Sequence, residues 1–314
     1  MSSLLSLNFD VLSSILQQCA LPSLHKLRLC CSGTNDLVED ELRRRYRSML
    51  LPFIQNHGQF RDELQNTGSV LAGERTLLFA FGISPVNTPL EIYTPRSNAF
   101  HVLGFLTVVE HYSITNYRAS PSQPHLVGEH CITELQRNGR SIHVIQSIRD
   151  TPYSPIPSLW CTALMTCVGG YHYHVPYPSL MEQEKVLLTP TAINQADDVV
   201  WLQPLLLRFF GYGLCITLDP VDLPAQRTST LPCRRERSPT CPLTIRWTGD
   251  PFSLTGTMSY ERSLARRIQL RDFVHTHGWC IVWWRGGSPC GGRCETGQRY
   301  IIPRSICTLA QHVM

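Results

Sequence analysis

The sequence predicts an α+β protein with a helical N-terminal module followed by a mixed α/β region. Apolar residues recur at helical spacing through the first fifty residues. Farther along, short β-rich segments stand between turn residues, as at residues 90–93 between Pro89 and Pro95. The composition, with 43% hydrophobic and 17% charged residues, is typical of a globular chain. The length of 314 residues favours about two domains.

Charge and cysteine content limit the classes of function. A formal net charge of +4 is too small to indicate nucleic-acid binding by itself. The most apolar segment, residues 199–218, is interrupted by Gln203, Pro204 and Arg208, so we expect no membrane span. Thirteen cysteines, without a recognisable signal peptide, favour reduced thiols in a cytoplasmic or nuclear protein.

Three helices are expected in the first fifty residues. Asn8 is a suitable N-cap for the first helix, and Pro22 suits the first turn of the second. Gly33 is expected to end the second helix, and the third is expected to begin near Thr34. The apolar stripe of the third helix consists of Val38, Leu42, Tyr46 and Met49.

This N-terminal pattern resembles an F-box over about residues 5 to 50. The pattern departs from the family at Asn8, where proline is usual, and lacks the usual tryptophan near its end. The resemblance implies a helical module, residues 1–52, that binds the Skp-type adaptor of a cullin ubiquitin ligase and recruits an unknown target protein. The alternative is that the three helices simply pack on the rest of the chain. The residues that the resemblance assigns to adaptor binding are Leu7, Phe9, Val11, Leu12, Ile15, Leu16, Leu21, Pro22, Leu24 and Leu27.

The next region, residues 53–218, is predicted to alternate helices and strands. Ser69 is expected to cap a helix over residues 70–81 that Gly82 closes. The other predicted helices cover residues 60–67, 99–110, 159–168 and 199–211, and the predicted strands cover residues 90–93 and 142–147.

Part of this region resembles a fungal group of nucleotidyltransferase-like proteins. The matching segments include 68–71, 90–93, 141–145, 177–178 and 210–212. In that superfamily a Gly-Ser pair at the start of a helix holds a phosphate. Two acidic residues on a strand, with one residue between them, hold divalent metal.

This chain departs from that superfamily at the metal-binding positions. Gly68 and Ser69 stand at the position of the Gly-Ser pair, but Pro89 replaces the first acid and leaves Glu91 alone. His143 stands where a third acid is expected, and magnesium prefers oxygen ligands. We therefore expect a remnant cleft at Gly68, Ser69, Glu91 and His143 with no catalytic residue, no metal and no cofactor. A divergent metal-dependent nucleotidyltransferase and a degenerate scaffold without a selected activity are the alternatives.

The last third of the sequence is predicted to form a Pro/Arg-rich loop at residues 219–242 and a C-terminal α/β extension at 243–314. The extension is expected to contain a basic helix at 259–278, a strand at 279–284 and a Gly/Cys-rich turn at 286–297. Cys290 and Cys294 have a spacing found in zinc sites, but no matching second pair follows, so we predict no zinc. Nucleic-acid binding is not expected.

Overall fold

An eight-stranded mixed sheet, with helices on one face, organises the fold, and the α+β prediction is confirmed. Four of the strands lie between residues 90 and 147, and the longest described helix, Ser32–Leu50, comes before them in the chain. The computed structural model describes residues 8–119, 128–189, 199–217, 240, 244, 246–258, 281–283 and 306–307.

Eight α-helices are described in these ranges. They are α1 (Phe9–Gln18), α2 (Leu21–Arg28), α3 (Ser32–Leu50), α4 (His57–Thr67), α5 (Leu77–Phe81), α6 (Ala99–Gly104), α7 (Pro178–Glu182) and α8 (Val199–Gly211). A π-helical turn at Phe105–Val109 continues α6, and short 3-10 turns cover Glu74–Thr76, Arg96–Asn98, Ile156–Ser158 and Thr162–Met165.

The described strands belong to three sheets. The large sheet has the order β11-β7-β6-β1-β2-β5-β4-β3, and only the β2–β5 pair in it is parallel. Its strands are β1 (Val70–Ala72), β2 (Leu90–Thr94), β3 (Ser113–Ala119), β4 (Glu129–Arg137), β5 (Arg140–Ser147), β6 (Cys167–Val168), β7 (His172–Val175) and β11 (Leu254–Thr257). The smaller sheets pair β8 (Lys185–Leu187) with β9 (Cys215–Thr217), and β12 (Ile281–Trp283) with β10 (Arg246–Trp247) and β13 (Ile306–Cys307).

Each face of the large sheet carries its own hydrophobic cluster. Side chains alternate along a strand, so Leu90 and Ile92 point to one face and Tyr93 points to the other. We call the first the helix face, because helices α1 to α6 contribute most of its core. We call the second the loop face, because residues 153–165, 177–188 and Phe209 cover it. The hydrophobic core of the helix face runs without a break across residue 52, from Leu16 and Val38 to Ile92.

The three N-terminal helices form largely as the sequence predicts. The Asn8 side chain accepts a hydrogen bond from the backbone N–H of Asp10, which caps α1. Pro22 lies in the first turn of α2, where its missing N–H costs no helical hydrogen bond. The apolar stripe of α3 is buried throughout, at Val38, Leu42, Tyr46 and Met49. Gly33 does not end α2 as predicted; α2 ends at Arg28, and Gly33 lies in the first turn of α3.

Two predicted helices are replaced by other structure. Over residues 70–81, β1 comes first and a 3-10 turn leads into α5, so only the second part is helical. Over residues 159–168, a 3-10 turn and β6 replace the helix. Both stretches are continuously apolar, and such runs suit a buried strand as well as a helix. The other predicted helices and strands are confirmed, and their observed ends lie within three residues of the predicted ones. They are the helices at 60–67, 99–110 and 199–211 and the strands at 90–93, 142–147 and 279–284.

Several predictions fall outside the described residues. These are Leu7, the Pro/Arg-rich loop except Thr240, the basic helix at 259–278 and the turn at 286–297. Among the helices that are described, none has the length and apolar character needed to cross a membrane.

Candidate functional site

The outward face of α1 is the first candidate site. Leu12 and Leu16 point inward and are buried, each 5% exposed, whereas Val11 and Ile15 point outward and are 48% and 40% exposed. A shallow open groove follows this outward face, and its lining residues are Asp10, Val11, Ser14, Ile15, Gln18 and Cys19. Helix α1 therefore has an apolar side beyond the one that its own core uses.

The structure divides the residues predicted to bind an adaptor into two groups. Leu12, Leu16, Leu21, Pro22 and Leu24 are buried by the chain itself. These five are not available to a partner in this conformation, because the rest of the chain already covers them. Leu27 is partly buried against the same core, and the Phe9 side chain and Leu7 lie outside what is described. Val11 and Ile15 remain as the exposed members.

The second candidate site is a row of polar side chains on the loop face of the large sheet. Glu91 on β2 is the register partner of His143 on β5, and His143 is the partner of Glu134 on β4. Partners across neighbouring strands point to the same face. Two of the four residues predicted to form a remnant cleft, Glu91 and His143, are therefore neighbours.

The other two predicted cleft residues lie elsewhere. Gly68 is the left-handed C-cap of α4, with φ of 65°, and Ser69 leads into β1 rather than into a helix. The Ser69 hydroxyl donates to Thr94 Oγ1 at 3.0 Å, on the helix face. Because Glu91 points to the loop face, the sheet separates it from Ser69. Ser69 therefore does not cap a helix as predicted, and Gly68 and Ser69 do not lie in one cleft with Glu91.

Glu91 lies in a largely apolar environment. Its Oε2 accepts a hydrogen bond from the Tyr93 hydroxyl at 3.0 Å. Burial raises the pKa of Glu91 to about 7, and the charge of Glu74 adds to the rise, although the hydrogen bond from Tyr93 lowers it. Burial also lowers the pKa of His143 from its usual value. Both groups are therefore biased toward their neutral forms.

Gly73 makes room for the Glu91 carboxylate. Its φ is 83°, in the region that favours glycine, and a Cβ placed on it would lie 2.0 Å from Glu91 Oε2. Gly73 and Glu74 also form the turn between β1 and the helical segment that follows. The glycine at the start of a helical segment is therefore Gly73, five residues after the predicted Gly68. The signal that could have located it is the short apolar run at 70–72 directly before a glycine.

We call Glu91, His143 and Glu134, together with the neighbouring Glu74, the Glu91 row. Each carboxylate of the Glu91 row has a protein partner. Glu74 accepts hydrogen bonds from Arg208 Nη1 at 2.9 Å and from the Tyr212 hydroxyl at 2.8 Å. Glu134 forms an ion pair with Arg118 at 2.5 Å. Among the described residues, no three His, Cys, Asp or Glu side chains form a group that could hold a metal ion. These carboxylates therefore make separate contacts with neighbouring protein groups in this conformation.

Sequence reasoning missed Arg45, which lies in a run of arginines and is fully buried. A basic run is normally expected on a solvated helix face, so no signal in the sequence distinguishes Arg45 from its neighbours.

Comparison with known proteins does not add a family to these observations. No family model, no curated protein and no solved structure matches this chain.

Proposed function

We propose that this chain is a protein-interaction protein whose α1 binds a Skp-type adaptor of a cullin-type ubiquitin ligase, with the sheet region serving to recruit a target protein. The single observation that carries the proposal is the second apolar side of α1. Val11 and Ile15 lie one turn apart on this side and are about half exposed, although Leu12 and Leu16 already supply the contacts with the core. Amphipathic helices use such spacing to bind hydrophobic grooves.

The F-box resemblance supplies the partner class in this proposal. The proposed contact surface is the outward face of α1, because most of the other apolar residues of the module are buried. The polar members of the groove, Asp10, Ser14 and Gln18, form a stripe beside the apolar pair. Polar residues at the edge of an apolar centre are typical of protein interfaces.

The sheet region is proposed to act without nucleotide transfer. This part of the proposal is supported by the partners of Glu74, Glu91 and Glu134 and by the placement of Ser69 on the opposite face of the sheet. A carboxylate must be deprotonated to hold a divalent ion, and burial raises the pKa of Glu91 to about 7.

The test is co-purification and calorimetry of the full chain with a Skp-type adaptor. Unchanged protein is expected to bind, and the double variant Val11→Asp/Ile15→Asp is expected to lose at least tenfold in affinity, because unpaired carboxylates would be desolvated in the interface. The control is Val86→Asp/Val108→Asp, which changes two valines that are each 72% exposed and lie outside α1. Circular dichroism should show that both variants remain folded.

Two results would contradict the proposal. One is the absence of binding by the unchanged protein. The other is equal binding by the α1 variant and the control. Changing Leu12 and Leu16 would not be informative, because both side chains are buried in the core and their loss would unfold the helices.

A further inference from the structure

His174 is a buried histidine in the middle of β7 and is 3% exposed. Among the described residues, neither Nδ1 nor Nε2 of its ring has a hydrogen-bond partner. Its register partners are Cys167 on β6 and Thr255 on β11, so strands of the sheet surround it on both sides.

A small cavity lies beside this ring. Its volume is about 20 Å³, and most of its wall is apolar, with Ile156 and Met165 among the lining residues. The lining residues that carry polar groups are Tyr153, Cys167, His174 and Thr248. All four of these residues are at least nine-tenths buried.

The protonation state of His174 determines what the cavity can hold. Burial lowers the pKa of His174 to about 4, so the ring is neutral at pH 7. A neutral imidazole carries one N–H donor and one nitrogen acceptor. Leaving both unpaired in the interior costs free energy, and such groups are normally paired with protein or with ordered water. About 10–15 Å³ is enough for one water molecule, provided that it has two or more polar partners.

We propose that this cavity binds one ordered water molecule that bridges His174 and Thr248. Two other polar groups of the lining are already engaged. The Tyr153 hydroxyl is 3.4 Å from His172 Nε2, and the Cys167 thiol donates to the carbonyl oxygen of Met165 at 3.3 Å. The Thr248 hydroxyl is the remaining one, and it can both donate and accept.

This water site would join two parts of the chain that are distant in sequence. Thr248 follows β10 and precedes β11, which pairs directly with β7. A bridge between His174 and Thr248 would attach the turn at 246–250 to the centre of the sheet. The site is independent of the α1 face and of the Glu91 row.

The first test detects the water in the unchanged protein. Nuclear magnetic resonance should show a cross-peak between the His174 ring protons and a water molecule whose residence time exceeds that of surface hydration. This measurement does not depend on how any variant folds. If no such cross-peak appears for assigned His174 protons, the cavity is dry and the proposal is overturned.

The second test is a double-mutant cycle with His174→Phe and Thr248→Val. If one water bridges the two side chains, the two shifts in urea midpoint should not add, because either change alone removes the bridge. The control cycle pairs His174→Phe with Thr189→Val, which removes a buried hydroxyl outside the cavity lining, and its shifts should add. Additive shifts for Thr248→Val would contradict the proposed bridge.

Discussion

Arg45 and Glu41 form a buried ion pair on α3, with Nε and Oε1 2.7 Å apart. The same guanidinium donates to the carbonyl oxygens of Leu16, Gln17 and Cys19 at the end of α1. The Leu16 carbonyl also accepts from the backbone N–H of Cys19, whereas the carbonyls of Gln17 and Cys19 lie at the C-terminus of α1, where no later helical N–H is available. Arg45 thus supplies hydrogen bonds from α3 to the C-terminal end of α1.

Replacing Arg45 with methionine should destabilise the protein by about 3–5 kcal/mol, because it removes the buried one of the two arginines that bind the Glu41 carboxylate and leaves several carbonyls without their donor. The matched control is Arg44→Met. Arg44 also binds Glu41, at 2.7 Å, but its side chain is 45% exposed, and exposed pairs contribute about 0–1 kcal/mol. Urea unfolding measures both changes. Equal losses would contradict the role assigned to Arg45.

Gly73→Ala should destabilise the protein by about 1–3 kcal/mol, because alanine at φ of 83° is strained and its Cβ would displace the Glu91 carboxylate. Gly104→Ala is the control. Gly104 lies in α6 with no atom within 4 Å of an added Cβ, so this change should stabilise by about 0.5–1 kcal/mol. Thermal unfolding of both variants tests the prediction, which fails if Gly73→Ala is neutral.

Glu91→Gln should stabilise the protein at pH 8 and leave its stability unchanged at pH 4. The folded pKa of Glu91 is about 7 and its ordinary value is 4.5. Between these values the unfolded state holds fewer protons than the folded state, so stability falls as pH rises, and the cost is complete above pH 7. Because Glu91 is partly solvent-accessible, we expect a gain of about 1–2 kcal/mol.

Urea unfolding at pH 4, 6 and 8 measures the Glu91 effect. The exposed residue Glu184 provides the control, and Glu184→Gln should show no comparable pH-dependent gain. A gain that is as large at pH 4 as at pH 8 would show that removal of the charge is not the cause.

The cysteines should react with iodoacetamide in an order set by exposure. Hydrogen bonds from Thr34 lower the pKa of Cys31, which is exposed at the N-terminus of α3. Burial raises the pKa of Cys161 and of Cys167 above the ordinary value. Peptide mapping of the native protein should find Cys31 modified more than about tenfold faster than these two. Comparable rates would contradict this assignment.

No saturable micromolar binding of a nucleoside triphosphate is expected in the presence of magnesium or manganese. Micromolar affinity corresponds to about 8 kcal/mol, and the carboxylates of the Glu91 row already have protein partners. Calorimetry of the full chain with each nucleotide is the measurement. Metal-dependent binding that is lost in Glu91→Ala would favour a nucleotidyltransferase instead.

The sequence predicts elements well where periodicity is unambiguous. The apolar stripe of α3 has helical spacing, which leaves few other secondary structures. The strand at 90–94 is β-rich and begins directly after one proline and ends directly before another, which favours a strand. The run at 70–72 was ambiguous, since three apolar residues suit a helix or a strand. Its partners, β2 and β6, decide the outcome, and they are distant in sequence.

The candidate sites depend even more on distant contacts. Val11 and Leu12 are adjacent apolar residues, and only the packing of α1 shows which one is exposed. The pairing of Glu91 with His143 depends on the register of β2 and β5, which no local pattern encodes. The separation of Ser69 from Glu91 follows from the alternation of side chains along β1 and β2, once β1 is known to be a strand.

Arg28, at the end of α2, donates from Nη1 to the carbonyl oxygen of Thr257 at 2.6 Å. These two residues are 229 positions apart in the chain. At about 5–20 residues per second, a ribosome needs about 10–45 s to synthesise the stretch between them. During that interval the apolar side of α2, with Leu21 and Leu24, lacks part of the surface that later buries it. The N-terminal helices are therefore synthesised first, but part of the surface that buries them is synthesised much later.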